Sequence, residues 1–348
     1  MRMRGRQAGR HARRRRSGSG MTGPGAIRRL AFVGVALTVI TFGAPVVGAT
    51  ADPKPSLKEL TEQVEDLYTE IESLTEQYNG ERVRLKAAQR SAELAKKNLA
   101  KSEAELEIRR KRATALAQHS YMTNGLGNTL ALIDSDADPR QYLDHATTTY
   151  ALELQESQEV AEVTKAMEAA ARARESAAAR QAEVKKLLSS LDARRDKINK
   201  LIKKTESNLY RQVAQRIGAG TRTRMSFPIV GDGKAAQAAR WALKQQLKPY
   251  VWGAEGPNSF DCSGLVMAAY QSVGISLPHY TGDQWTAGTH ISRDQLRPGD
   301  LVFFYSDLHH VGIYIGGGYM IHAPRTGDVI HIAKIAGRPY AGAVRIAD

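Results

Sequence analysis

Apolar and polar positions divide the 348-residue chain into two textures. From residue 57 an apolar side chain recurs every seven residues: Leu57, Val64, Ile71, Tyr78, Leu85, Ala92, Leu99, Leu106 and Ala113. Leu60, Leu67, Leu74, Ala88, Ala95 and Leu116 hold the second apolar position, with Glu81, Ser102 and Arg109 as interruptions. Steps alternating between three and four predict a helix with a coiled-coil seam, and no proline breaks it between Pro55 and Pro139. The alanines at 88, 92 and 95 bury little area, so the middle of the seam should be weaker than its start. A second helical stretch is expected over 141–217, with Val160, Val163, Met167, Leu187, Leu191, Ile198, Leu201 and Val213 as its apolar positions. Between the two lie Asn124-Gly125-Leu126-Gly127 and a short apolar segment at 130–133. Two helices of similar length joined by a compact tip read as an antiparallel hairpin, about 100 Å long at ~1.5 Å per residue. Parallel dimerisation through the first helix is the alternative.

After a glycine-bearing linker at 218–233 the texture changes to aromatics, glycines and short β-branched runs. Helices are expected over 234–247 and from residue 261 or 262. Strands are expected near 301–305, 311–315, 319–322, 329–332 and 343–346. Helices first and strands afterwards indicate an α+β domain with an antiparallel sheet. The resulting organisation is a targeting segment at 1–51, a helical domain at 52–217, the linker at 218–233 and a compact domain at 234–348.

Charge changes the picture only at the amino terminus. The formal net charge is +14, but residues 1–51 hold ten arginines and no acid: Arg2, Arg4, Arg6, Arg10, Arg13, Arg14, Arg15, Arg16, Arg28 and Arg29. Without them 40 basic side chains face 36 acidic ones, or +4, which argues against a nucleic-acid partner. Arg28 and Arg29 precede an apolar run at 30–47 and then Ala49-Thr50-Ala51, an A-x-A pattern. This reads as a signal segment cleaved after Ala51, with Met1 or Met21 as the start, and implies a secreted protein. An uncut membrane anchor is the alternative.

The chain has one cysteine, Cys262. A lone cysteine in an exported protein makes no internal disulfide, so it is inert or kept for its chemistry. Asp261 is a good N-cap for a helix burying Val266, Ala269, Tyr270 and Val273, which puts Cys262 in the first turn. There the free amides and the helix dipole should lower the thiol pKa. Gly264 should let a sheet or substrate approach. The run Leu308-His309-His310-Val311-Gly312-Ile313-Tyr314-Ile315 alternates along a strand, so the two histidines point to opposite faces. Val311, Ile313 and Ile315 share a face with His309, which is expected to be solvent-exposed or structural. Gly312 shares one with His310 and should clear space there for a packed helix terminus. His322, one strand later, could hold His310 in the productive tautomer as in nucleophile–base–orienter arrangements. Adjacent strand histidines diverge and no carboxylate spacing supports a metal site, so neither metal nor other cofactor is expected.

Five stretches carry a resemblance: Pro249-Tyr250-Val251-Trp252-Gly253, Phe260-Asp261-Cys262-Ser263-Gly264-Leu265-Val266, Arg297-Pro298-Gly299-Asp300, His310-Val311-Gly312-Ile313-Tyr314 and His322-Ala323-Pro324. In that order they make residues 234–348 resemble an NlpC/P60 domain, a papain-like cysteine peptidase family that cuts bacterial cell-wall peptides. The resemblance implies Cys262 as nucleophile, His310 as base and then acid, and His322 as the orienting residue. It implies that Tyr250 assists at the oxyanion site, and that Asp261 and Ser263 grip the amino end of a peptidoglycan stem peptide. The fold expected is an α+β papain-like catalytic domain preceded by a long antiparallel helical coiled-coil hairpin. The bond implied is D-isoglutamyl–diaminopimelate. A non-catalytic coiled-coil activator or scaffold binding wall peptides, and an acyl-transferring thiol enzyme, are the rival readings. The hairpin resembles the coiled-coil halves of secreted peptidoglycan hydrolases. It is expected to position the enzyme through a membrane or divisome protein and to shield Cys262 until engaged.

Overall fold

The computed structural model describes residues 55–124, 139–218 and 222–348. The targeting segment, the tip at 125–138 and residues 219–221 of the linker lie outside the described residues. The described residues belong to one compact unit.

Helix α1 (Leu57–Asn124) opens on a reciprocal cap. The Glu59 amide donates to Ser56 Oγ and the Ser56 amide to Glu59 Oε2, which satisfies two of the helix's orphan donors. Helix α2 (Pro139–Thr205) runs against it. The cross-contacts Lys197–Glu70, Arg194–Glu81, Arg174–Glu103 and Arg109–Glu162 descend on one helix as they rise on the other, so the pair is antiparallel. Val64, Ile71 and Leu74 are buried where the period-seven pattern places them, as is Ile198 on α2, while toward Ala88 and Ala95 the side chains that α1 itself buries are small. Leu57, Val160 and Met167, expected in the seam, are about half exposed or more.

The second helical stretch is not continuous. It stops at Thr205, turns through Glu206 and Ser207, and resumes as α3 (Asn208–Gly218). Past the turn α3 continues along α1 in the same antiparallel sense, with Tyr210 bonded to Gln63 and Val213 in the cluster of Leu60, Val64 and Tyr68.

The rest of the described linker has neither helix nor strand, yet Phe227 and Ile229 pack on the core of the following domain. That domain holds α4 (Lys234–Leu243), α5 (Cys262–Gln271), α6 (Thr281–Trp285) and strands β1 (Thr289–Ile291), β2 (Leu301–Phe304), β3 (His310–Gly316), β4 (Tyr319–His322), β5 (His331–Lys334) and β6 (Tyr340–Arg345). Helix α4 ends four residues earlier than expected, and residues 244–247 form a turn instead. β1 was not foreseen, and β5 starts two residues later than expected because 328–330 bond to 247–250. The sheet is antiparallel throughout, in the order β1-β6-β2-β3-β4-β5.

Alternation sorts the two faces of the sheet. Leu301, Phe303, Val311, Ile313 and Ile315 join Leu265, Val266, Ala269 and Tyr270 in one core. Val302, Phe304, Met320 and Ala343 form a second core on the opposite face. Helix α5 packs on β3, which sets the cysteine-bearing helix end against the histidine-bearing strand start.

Candidate active site

Asp261 caps α5 as expected: its Oδ1 accepts from the Gly264 amide at 2.7 Å. Cys262 is the first helical residue and only 2% exposed. Gly264 is required because a Cβ there would stand 2.2 Å from the Ala254 carbonyl oxygen and 3.0 Å from His279 Nε2. The crowding partners are thus a loop and a histidine, rather than a sheet or substrate.

His310 opens β3 and its Nε2 lies 2.8 Å from His322 Nδ1 on β4. His310 Nδ1 is buried without a hydrogen-bond partner, and so is His322 Nε2. Beyond His322 the ring of His331 stands edge-on at 4.9 Å, with its Nδ1–H donating to the Val329 carbonyl. The space at Gly312 is taken by Met320 and His322, where a Cβ would meet Met320 Sδ at 2.6 Å, and not by a helix end. His309 is not exposed. It stacks on Tyr305 with ring centroids 4.0 Å apart, bonds Asp307, and its carbonyl lies 3.9 Å from Cys262 Sγ. The thiol's own contacts are Glu76 Oε1 at 3.5 Å and that carbonyl.

Glu76 belongs to α1, as do Asn79 and Glu72, and none of the three was expected at the site. Its Oε1 accepts from Ser263 Oγ at 2.6 Å and its Oε2 from the Thr281 amide at 2.8 Å. Asn79 donates to Asp261 Oδ2 at 2.9 Å. Glu72 Oε2 stands 3.7 Å from His310 Nδ1 and 4.0 Å from His309 Nε2. The Tyr250 hydroxyl is buried near the site with no hydrogen-bond partner.

This enclosure inverts the expected acidity. Burial, then the Glu76, Asp261 and Glu72 carboxylates, push the Cys262 thiol well above its ordinary value, overriding the helix terminus. Burial likewise lifts Glu72 to about 8, against the pull of Arg325 and Arg338, and raises Glu76, with Asp261 adding to it. Burial pushes His310 and His322 well below theirs, so both stay neutral.

His279 is the second group missed. It lies 2.7 Å from Asp261 Oδ1 and 3.1 Å from Glu255 Oε1. Burial opposes its proton, but the charge and hydrogen bond of Asp261, with Glu255, win and raise it to about 9 from 6.5. A histidine with a raised folded pKa adds stability that is complete below the unfolded value and lost as pH rises through the folded one. The melting-temperature gap between the native chain and His279→Gln should therefore be widest at pH 6.5 and narrow as pH rises through about 9. A gap that does not change with pH would contradict the charged assignment.

Residues 247–346 match the NlpC/P60 family. A "Probable endopeptidase" of Corynebacterium glutamicum is 41% identical over 130 residues, covering 34% of this chain and 62% of the relative. Another, of Mycobacterium tuberculosis, is 41% identical over 108 residues, covering 31% of this chain and 28% of the relative. The crystal structure of the NlpC/p60 domain of the peptidoglycan hydrolase SagA is 38% identical and covers 32% of this chain and 97% of its own, with a TM-score of 0.31. The chain spans less than two thirds of each of these two curated relatives. With the capped cysteine and paired histidines inside the matched segment, residues 247–346 of this chain are an NlpC/P60 domain.

Proposed function

We propose that the chain is a secreted, cell-wall-associated cysteine endopeptidase that hydrolyses peptidoglycan stem peptides at the D-isoglutamyl–diaminopimelate bond. The observation that carries this reading is the 2.8 Å contact of His310 with His322, together with the lone cysteine at a capped helix start whose sulfur lies 3.9 Å from the carbonyl preceding His310, within the family segment. With His310 Nε2–H donating to His322 Nδ1, the lone pair of His310 Nδ1 is left to take the Cys262 proton. The thiolate attacks the peptide carbonyl carbon, and the α5 amides and the Tyr250 hydroxyl stabilise the oxyanion. Collapse breaks the C–N bond as the His310 imidazolium protonates the leaving amine. His310 then deprotonates a water that attacks the thioester, and the thiol is restored with its proton. His322 acts through His310 as a positioning residue. Asp261, with Ser263, supplies acceptors for the amino end of the stem peptide.

Purified peptidoglycan digested with the native chain and with Cys262→Ala, followed by mass analysis of the fragments, tests this. New amino termini at diaminopimelate from the native chain alone are expected. Equal products from both proteins would remove Cys262 from the mechanism. Transfer of the acyl group to an added amine in place of water would favour the acyl-transfer reading, and native binding without products the scaffold reading. Export rests on the arginine-flanked apolar run and Ala49-Thr50-Ala51; secreted protein beginning elsewhere than Asp52 would refute cleavage there. The helical pair is assigned to a membrane or divisome protein, which crosslinking in cells would test by the identity of what it captures.

A further inference from the structure

A peptidase whose thiol is 2% exposed cannot admit a peptide, and what closes this site is a helix of the same chain. The contact is extensive and specific. Glu76 and Asn79 take the hydrogen bonds of Ser263, Thr281 and Asp261. On one side Arg82 donates to the Gly253 carbonyl at 3.1 Å and to Glu255 at 3.0 Å, while the Tyr78 and Trp252 rings meet edge-on at 5.2 Å. On the other, Glu65 pairs with Arg325 at 2.7 Å and Tyr68 lies under that guanidinium at 4.5 Å. Between α1 and the domain remains a cavity of about 290 Å³ lined by Glu72, Tyr305, Arg325, His331 and Arg338.

The chemistry of the contact is that of a ligand rather than of a core. Glu72 and Glu76 are carboxyl groups buried beside a cysteine and a histidine, a costly placement for a helix seeking only apolar cover. Asn79 sets an amide donor on Asp261, the acceptor that the proposed function gives to the substrate's amino end. From these positions we propose that α1 is a built-in substrate mimic: Glu72, Glu76 and Asn79 fill the peptide groove and hold the enzyme off until the helix is displaced. This rests on the peptidase reading for what is being held off, but not for the closure itself. Withdrawing α1 also removes three of the causes that hold the thiol protonated: burial, Glu76 and Glu72. Opening the groove and arming the nucleophile are then one event.

The lone cysteine makes the closure directly measurable, because any alkylation of the full chain by iodoacetamide at native pH that labels a thiol labels Cys262. Two variants of the full chain separate cause from collapse. Glu76→Ala with Asn79→Ala removes the mimicking groups. Gly80→Leu leaves them in place and instead wedges α1 away, because even a Cβ at Gly80 would stand 3.1 Å from the Tyr280 ring. Leucine also has the higher helix propensity, so the wedge does not unravel α1. Both variants are expected to alkylate at least ~10-fold faster than the native chain, with thermal melting showing that each remains folded. Peptidoglycan hydrolysis should rise in parallel for Gly80→Leu. A native chain that alkylates as fast as a free thiol, or two folded variants that alkylate no faster than the native chain, would overturn the proposal. Faster alkylation with no hydrolysis would uphold the closure and overturn the peptidase reading beneath it.

Discussion

His310→Ala should lower stem-peptide hydrolysis by about three orders of magnitude, and His322→Ala by roughly ten- to a hundredfold. The difference follows from where each proton goes. In the proposed mechanism His310 takes the thiol proton and gives it to the leaving amine, and no other group would replace it in that role. The carboxyls within reach, Glu72 and Glu76, leave with α1. In the proposed mechanism His322 touches neither proton; its Nδ1, 2.8 Å from His310 Nε2, would accept that nitrogen's hydrogen and keep Nδ1 of His310 as the basic nitrogen. Its loss should act mainly on kcat and move the acid limb of the pH profile, since the His310 imidazolium would lose its acceptor. His322→Gln, which offers an amide oxygen at that place, should recover much of the activity. If His322→Ala leaves both kcat and the profile unchanged, His322 has no orienting role. These measurements belong in the Gly80→Leu background, where the groove is open.

The largest expected effect on stability lies away from the chemistry. Asp300, 1% exposed, accepts from Arg345 Nε at 2.9 Å, from Arg345 Nη2 at 2.8 Å and from the Arg297 amide at 2.6 Å. Asp300→Ala would strand a guanidinium whose side chain is 18% exposed and leave the Arg297 amide unpaired. Breaking such a pair by removing one partner costs about 3–5 kcal/mol. Here the Gln295 carbonyl still accepts from Arg345, so the lower figure of ~3 kcal/mol is expected, readable as a shift in the urea midpoint at constant slope. Asp300→Asn, which keeps one acceptor oxygen, should lose less. A midpoint unchanged in Asp300→Ala would show that the pair contributes nothing. The same turn explains its neighbour: Gly299 has φ 103° and a Cβ there would lie 2.4 Å from the Ala235 backbone, while its carbonyl accepts from the Tyr270 hydroxyl at 2.7 Å. The Arg297-Pro298-Gly299-Asp300 stretch is thus a structural joint between α4, α5 and the sheet, although it reads in the sequence as one motif among those of the site.

What the sequence displays is periodic or local. The seven-residue repeat of Val64, Ile71 and Leu74 names the face that meets α2, because those side chains are apolar and that partner is a helix. Asp261 is legible as a cap from the three residues that follow it. His309 and His310 are legible as opposed because a strand alternates. The residues that close the site are not legible in this way. Glu72, Glu76 and Asn79 fall between the seam positions, where polar side chains ordinarily mean solvent, and their partners are more than 180 residues distant. The one available hint was Thr75, Asn79 and Gly80 together, small or uncharged where outward positions of such a helix are usually charged. The same omission explains the thiol. A cysteine at a helix start is acidified when it faces water, and buried among carboxylates when α1 lies over it. His279 escaped notice because its meaning depends on Asp261 and Glu255 converging on it from separate turns. The break at Glu206 and Ser207 carries no proline or glycine, so nothing in the local sequence marks it.

The central claim is that peptide hydrolysis passes through the sulfur of Cys262. Alkylating the Gly80→Leu chain in graded steps, with the adduct counted by intact mass and hydrolysis measured on the same samples, tests it most directly. Residual activity is expected to fall in proportion to the unmodified fraction and to vanish when one equivalent has been added to Cys262. Hydrolysis that persists after Cys262 is fully alkylated would contradict it.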